Sequence, residues 1–373
     1  MKLKKYVLLT AAAVIGLNTS CAKVDDNMWF YICIGQSNMV GQAPILTEDT
    51  TSVGDRLYTI CATNDTDRKK GEFRKAIPPL CRRTTKMGPA DFFGRTMVQY
   101  LPKKIKVGLI HVGVDGCASD LFHKTLQKAY VDSIKPDWMR NEVNAYDGNP
   151  RARLIEIARQ AQDMGVIKGI IYHQGETDAY SDKWLKQMDE IYRDLLADLN
   201  LNAAEVPLLV GETAGKDQNG VCAHANPTID RIHSAIATAW PVSSYGCKVS
   251  EDNVHFAREG YKEIGKRYAL KMLQLEGFNV PSVDAPLQTE LADDVKDAFK
   301  VDCQVAKGKV TVTADAAISK VNVVSFSGET IDHIDGKSKG KVTLSTGKYG
   351  EDRLILTIIA SDGKKVTTKV NVQ

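Results

Sequence analysis

Four short stretches carry residues whose types and spacing suit acyl-transfer chemistry. The first is Cys33-Ile34-Gly35-Gln36-Ser37-Asn38-Met39-Val40-Gly41, an apolar run that stops at a glycine, a polar trio and a second glycine. A serine at such a strand end can be a nucleophile, with backbone N–H groups of the next turn facing a developing oxyanion, or simply a helix N-cap. The second is Asp252-Asn253-Val254-His255. Imidazole is suited to taking a serine's proton near neutral pH, and an Asp three residues earlier can hold its other nitrogen, or merely close a turn. The third, His173-Gln174-Gly175-Glu176-Thr177-Asp178, offers Gln174 as an amide donor to an oxyanion and Glu176 as an alternative partner for an imidazole. One His among carboxylates, without a second His at ligand spacing, argues against a metal there. The fourth, Gly113-Val114-Asp115-Gly116-Cys117, adds the Gly116 amide, or is an ordinary strand-to-helix loop.

The elements that must position these stretches are legible from periodicity. Apolar, β-branched runs at Trp29–Ile34, Ile105–Val112, Val166–Tyr172 and Val206–Gly211, with a fifth near Val242–Val249, predict strands. Apolar residues at three- and four-residue spacing predict helices over Pro89–Leu101, Arg151–Met164, Asp182–Leu199, Pro227–Ala239 and Glu259–Leu275. The alternation is that of an α/β domain, whose ligands sit beyond the carboxyl ends of its strands, and all four chemical stretches fall after predicted strands. Two prolines in Gly277–Pro286 break the pattern, and period-two alternation from about Phe299 to Val372 predicts a small antiparallel β-sandwich. The expected boundaries are 1–21 for an export signal, 27–280 for the α/β domain and 287–373 for the sandwich.

Taken together, Gly35-Gln36-Ser37-Asn38-Met39, His173-Gln174-Gly175-Glu176 and Asp252-x-x-His255 resemble the SGNH hydrolases, specifically the sialate O-acetylesterase and acetylxylan esterase family of carbohydrate esterases. The resemblance spans roughly Met28 to Leu275 and implies a three-layer, flavodoxin-like domain. It implies Ser37 as nucleophile, His255 as general base, Asp252 or Glu176 as its acid, and the Ser37 amide, the Gly116 amide and the Gln174 side chain as oxyanion donors. Gln36, Asn38 and His173 are the implied substrate-binding residues, and neither a metal nor an organic cofactor is required. Where the family commonly has Gly-Gly-Thr or Gly-Gly-Ser, this chain has Asp115-Gly116-Cys117, which implies a differently shaped acyl or sugar pocket. The implied substrate is an acetylated oligo- or polysaccharide. The rival functions are a non-catalytic glycan-binding lipoprotein and an esterase for another acyl group.

The 373 residues are 43% hydrophobic and 25% charged, enough for a sizeable core and about two domains. Lys2, Lys4 and Lys5 precede an apolar run ending at Asn18-Thr19-Ser20-Cys21, which reads as an export signal. Cys21 resembles the acylation site of bacterial lipoproteins; simple cleavage after Ala22 is the alternative. The expected location is the cell envelope, with membrane contact only through that lipid. Without the three lysines, 46 basic residues face 46 acidic ones, which gives no cause to expect a nucleic-acid partner. Cys61 with Cys81 and Cys222 with Cys247 are candidate disulfides in an oxidising compartment, while Cys33 and Cys117 read as buried thiols. There is no Gly-x-Ser-x-Gly elbow, no Gly-x-Gly-x-x-Gly and no His-Glu-x-x-His, which argues against a standard lipase, a dinucleotide fold and a zincin.

Overall fold

The computed structural model describes residues 24–51, 53–283, 285–290, 299–324, 330–349 and 353–372; the export signal and Cys21 lie outside them. Seven strands form the first sheet: β1 (Met28–Gly35), β2 (Leu57–Ile60), β3 (Phe73–Lys75), β4 (Lys106–Gly113), β5 (Val166–His173), β6 (Leu208–Gly211) and β7 (Ala239–Val242), in the order β3-β2-β4-β1-β5-β6-β7. All pairings are parallel except β2 with the edge strand β3. Strand β1 lies at the centre, buried on both faces, which is why it reads as a continuous apolar run.

Its side chains alternate between two cores. Phe30, Ile32 and Ile34 pack with the helices Pro150–Met164 and Asp182–Leu199, whereas Tyr31 and Cys33 pack with Pro89–Tyr100 and Arg258–Leu275. That is a three-layer α/β fold with helices on both faces. Those four helices follow the predicted periodicity to within one residue at each end.

Three expectations are corrected. The stretch 227–239 is not one helix but two short turns, Asn226–Ile229 and Ile232–Ala235. Asp230, between them, is engaged by its side chain, whose Oδ2 accepts from the Thr289 N–H at 3.0 Å. The fifth strand lies at Ala239–Val242, ahead of the predicted position. All seven cysteines from Cys33 to Cys303 are free thiols. Cys81 faces the Tyr146 hydroxyl at 3.2 Å and the Gly113 carbonyl at 3.7 Å instead of Cys61.

A second sheet, antiparallel, comprises β8 (Val301–Ala306), β9 (Lys309–Val324), β10 (Thr330–Ser345), β11 (Arg353–Ala360) and β12 (Lys365–Asn371). Register shifts in the β9–β10 pair between Asp335 and Lys341 break the two long strands into halves. Val310 and Val312 of one half share a core with Val321, Val323 and Leu356 of the other, so the sheet folds over on itself as a sandwich.

Candidate active site

Strand β1 ends at Gly35, where a Cβ would lie 2.0 Å from the His173 carbonyl oxygen. Only glycine allows the two strand ends to approach so closely, and the approach is used: the Gln36 N–H donates to that same oxygen at 3.1 Å. The chain then turns directly into a single helical turn, Ser37–Val40. Ser37 occupies its first position, where a backbone N–H has no intrahelical acceptor.

His255 arrives from the far end of the domain in a turn closed on itself. The Ser250 N–H donates to the His255 carbonyl at 2.8 Å, and Asp252 Oδ1 accepts from the N–H groups of Val254 and His255, both at 2.9 Å, and from Ser250 Oγ at 2.7 Å. This Asx-type turn leaves Asp252 Oδ2 free to meet His255 Nδ1 at 2.7 Å, and Nε2 lies 2.8 Å from Ser37 Oγ. A carboxylate only accepts, so Nδ1 carries the hydrogen and Nε2 presents its lone pair to the serine hydroxyl. Partial burial alone would raise the Asp252 carboxyl, but the hydrogen bonds from the His255 ring and N–H, Ser250 and Val254 outweigh it. They hold it well below the usual carboxylate range, as an anion facing the imidazole.

The loop after β4 closes the other side. The Val114 N–H donates to the Gly35 carbonyl at 3.3 Å, and Gln42 Nε2 reaches Asp115 at 3.4 Å, which sets the Asp115–Cys117 turn against the nucleophile turn. Gly116 adopts φ +64°, a conformation that suits glycine. The loop that carries Gly116 thus packs against the turn that carries Ser37.

The side-chain amides and His173 take roles the sequence does not reveal. Gln174 is fully buried; its Nε2 donates to Cys117 O at 3.3 Å and to Asp178 Oδ1, and its Oε1 accepts from Trp184 Nε1 at 2.9 Å. With both amide hydrogens engaged it has none for an oxyanion, so it braces the loop. Asn38, expected at the substrate, is also fully buried. Its Nδ2 donates to Glu176 Oε1 at 2.6 Å and Val254 O at 3.0 Å, and its Oδ1 accepts from Phe256 N at 3.2 Å and Tyr261 OH at 2.7 Å. One side chain thus ties the serine turn to both flanks of His255.

Glu176 contacts Asn38, not His255 Nδ1, and burial raises its carboxyl against the opposing pull of the Asn38 bond and the His255 ring. The acid against the histidine is Asp252. His173 is buried, and burial pushes its imidazole down to about 3; its Nδ1 meets Tyr268 OH at 3.0 Å, so it supports the loop from beneath. Gln36 is likewise buried. Among the described residues no three His, Cys, Asp or Glu side chains converge as a metal site.

The model of the family described as carbohydrate esterase, sialic acid-specific acetylesterase, matches residues 27–274, well over half of the chain. The chain belongs to this family. The sialic acid-specific acetylesterase family is one of carbohydrate esterases, and the chain is accordingly a carbohydrate O-acetylesterase. In fold it is similar to an Arabidopsis thaliana protein at 17% identity and TM-score 0.52, over 67% of this chain and 99% of that one. Two more distant resemblances are NanS, at 15% identity and TM-score 0.49 over 68% and 99% of the two chains, and a carbohydrate acetylesterase from Xanthomonas citri, at 14% identity and TM-score 0.48 over 93% and 81%.

Proposed function

We propose that this chain is a serine esterase that removes O-acetyl groups from glycans, of the acetylxylan or sialic acid type, through a covalent acyl-enzyme. The observation that carries the reading is the chain of contacts from Ser37 Oγ to His255 Nε2 at 2.8 Å and from Nδ1 to Asp252 at 2.7 Å. Ser37 Oγ attacks the acetyl carbonyl carbon as His255 Nε2 takes its proton, and the Ser37 and Gly116 N–H groups receive the oxyanion. The tetrahedral adduct collapses, the C–O bond to the sugar breaks, and His255 returns the proton to the sugar oxygen. Water then gives a proton to His255 and its oxygen to the acetyl carbon; acetate leaves and Ser37 regains its hydrogen.

A non-catalytic glycan binder has no need of a serine, imidazole and carboxylate in hydrogen-bonding sequence, which favours the enzyme. The test is acetate release from acetylated xylan and O-acetylated sialic acid by wild type and Ser37→Ala, with mass spectrometry of quenched reactions. Release that depends on Ser37, with a transient 42 Da adduct on its peptide (the mass of an added acetyl group), is expected; release unchanged in Ser37→Ala overturns the mechanism. The proposal includes export to the cell envelope with a lipid on Cys21, to be checked by fatty-acid labelling of wild type and Cys21→Ser.

A further inference from the structure

The rim of this site carries exposed apolar side chains that the reaction does not use. Trp138 is 52% exposed, Tyr180 47% and Val221 58%. Single exposed apolar residues are ordinary on a protein surface. Each of these three borders a loop that carries a residue of the site. A Cβ on Gly116 would lie 3.2 Å from the Trp138 ring edge, so the indole borders one proposed oxyanion donor. The Gly116 carbonyl accepts from Thr177 Oγ1 at 3.2 Å, and three residues on, the Tyr180 hydroxyl donates to the Glu176 carbonyl. Tyr180 stacks on His224 with ring centroids 4.6 Å apart, and the Val221 N–H donates to Asn253 O at 2.9 Å, in the turn that carries His255.

Trp138 sits on the helix Asp137–Asn144, whose Met139 and Val143 are buried. That helix is tied to the oxyanion loop by Glu142, which accepts from the Asp115 N–H at 2.8 Å and pairs with buried Arg82 at 2.7 Å. An indole left in water beside a reaction centre, on a helix anchored to its loop, is placed to cover an apolar face that arrives with the substrate. In a glycan that face is the C–H side of a pyranose ring.

We infer that Trp138, with Tyr180 and Val221 further along the same rim, is a stacking platform for sugar rings next to the acetylated one. The substrate class is therefore an acetylated glycan chain rather than a free monosaccharide. The inference rests on the esterase reading for its reaction but not for its binding, and the test separates the two.

Binding of partly acetylated xylo- and manno-oligosaccharides to the full-length Ser37→Ala protein is measured by calorimetry, with and without Trp138→Ala or Trp138→Phe. In the Ser37-intact protein, kcat/KM is compared for the same oligosaccharides and for the acetylated monosaccharides. The expected result is a preference for the chain that collapses in Trp138→Ala and largely returns in Trp138→Phe, with binding weakened roughly tenfold by the alanine. Equal binding with and without the indole, no preference for the chain in wild type, or rates that rise from acetyl to butyryl esters would each overturn the platform. Indole-dependent binding in a protein whose wild type releases no acetate would keep the platform and remove the esterase reading.

Discussion

Asn38→Asp is the sharpest perturbation, because it preserves the shape of the side chain that holds the site together and changes only what it donates. The two acceptor bonds of Asn38 Oδ1, from Phe256 N and Tyr261 OH, survive. The two donor bonds, to Glu176 Oε1 at 2.6 Å and Val254 O at 3.0 Å, become contacts between a new carboxylate, an existing carboxyl and a carbonyl. Two buried carboxylates this close cannot both ionise, so the folded variant must keep an added proton. Holding it costs about 1.4 kcal/mol per pH unit above an ordinary carboxyl pKa near 4, or about 4 kcal/mol at pH 7. The proton restores one donor bond and leaves the other unmade, a further ~1 kcal/mol. The expected loss is thus about 5 kcal/mol at pH 7 and about 2.5 kcal/mol at pH 5. The sign follows from linkage: folded pKa values lie above unfolded ones, so the variant gains stability relative to wild type as pH falls. Urea unfolding of both proteins from pH 5 to 8 reads the slope directly. A variant as stable as wild type at pH 7, or a difference that does not change with pH, would refute the account of Asn38 as the buried donor to Glu176.

Gln174→Ala should act on stability more than on chemistry. It removes the partners of Trp184 Nε1 and Cys117 O and leaves Asp178 only its bonds from Ser119, for a loss of ~2–4 kcal/mol in unfolding, while kcat falls far less than the ~10²–10³ expected of an oxyanion donor; a kcat loss of that size in folded protein would reinstate the amide as a donor. Gly35→Ala should remove activity and destabilise the domain by ~3 kcal/mol or more, because its methyl meets the His173 carbonyl at 2.0 Å, and full activity would sink the packing argument. Buried Asp91 is pushed up to about 7 by desolvation, against the pull of the Gly88 N–H. Its folded pKa is raised, so its contribution is present below about pH 4 and lost as pH rises through about 7; Asp91→Asn should flatten the stability profile in that window, as thermal melts at each pH would register.

Long elements were readable because burial imposes a period on them. The helix Asp182–Leu199 is bounded in the sequence where it is bounded in space, and β1, β4 and β5 announce themselves as β-branched runs. The strand Leu57–Ile60 and the edge strand Phe73–Lys75 are too short to show a period, and the helix Asp137–Asn144 follows a proline in a polar stretch. Ser37, Asp252 and His255 stood out because their local sequence builds the turns that present them. Asp178 stands near Gln174 in sequence, but the other acceptors, Cys117 for Gln174 and Glu176 and Val254 for Asn38, are brought near only by the tertiary fold, and no local pattern encodes that.

The partners of Asn38 lie 138 and 216 residues further along the chain. Nothing made of the first half of the domain can align Ser37, and nothing that stops short of the Arg258–Leu275 helix retains Tyr261, which grips the amide from behind. Ester hydrolysis should therefore switch on in one step as the last helix docks, making turnover a stringent reporter of complete folding: shortened chains would be silent even where most of the sheet has formed.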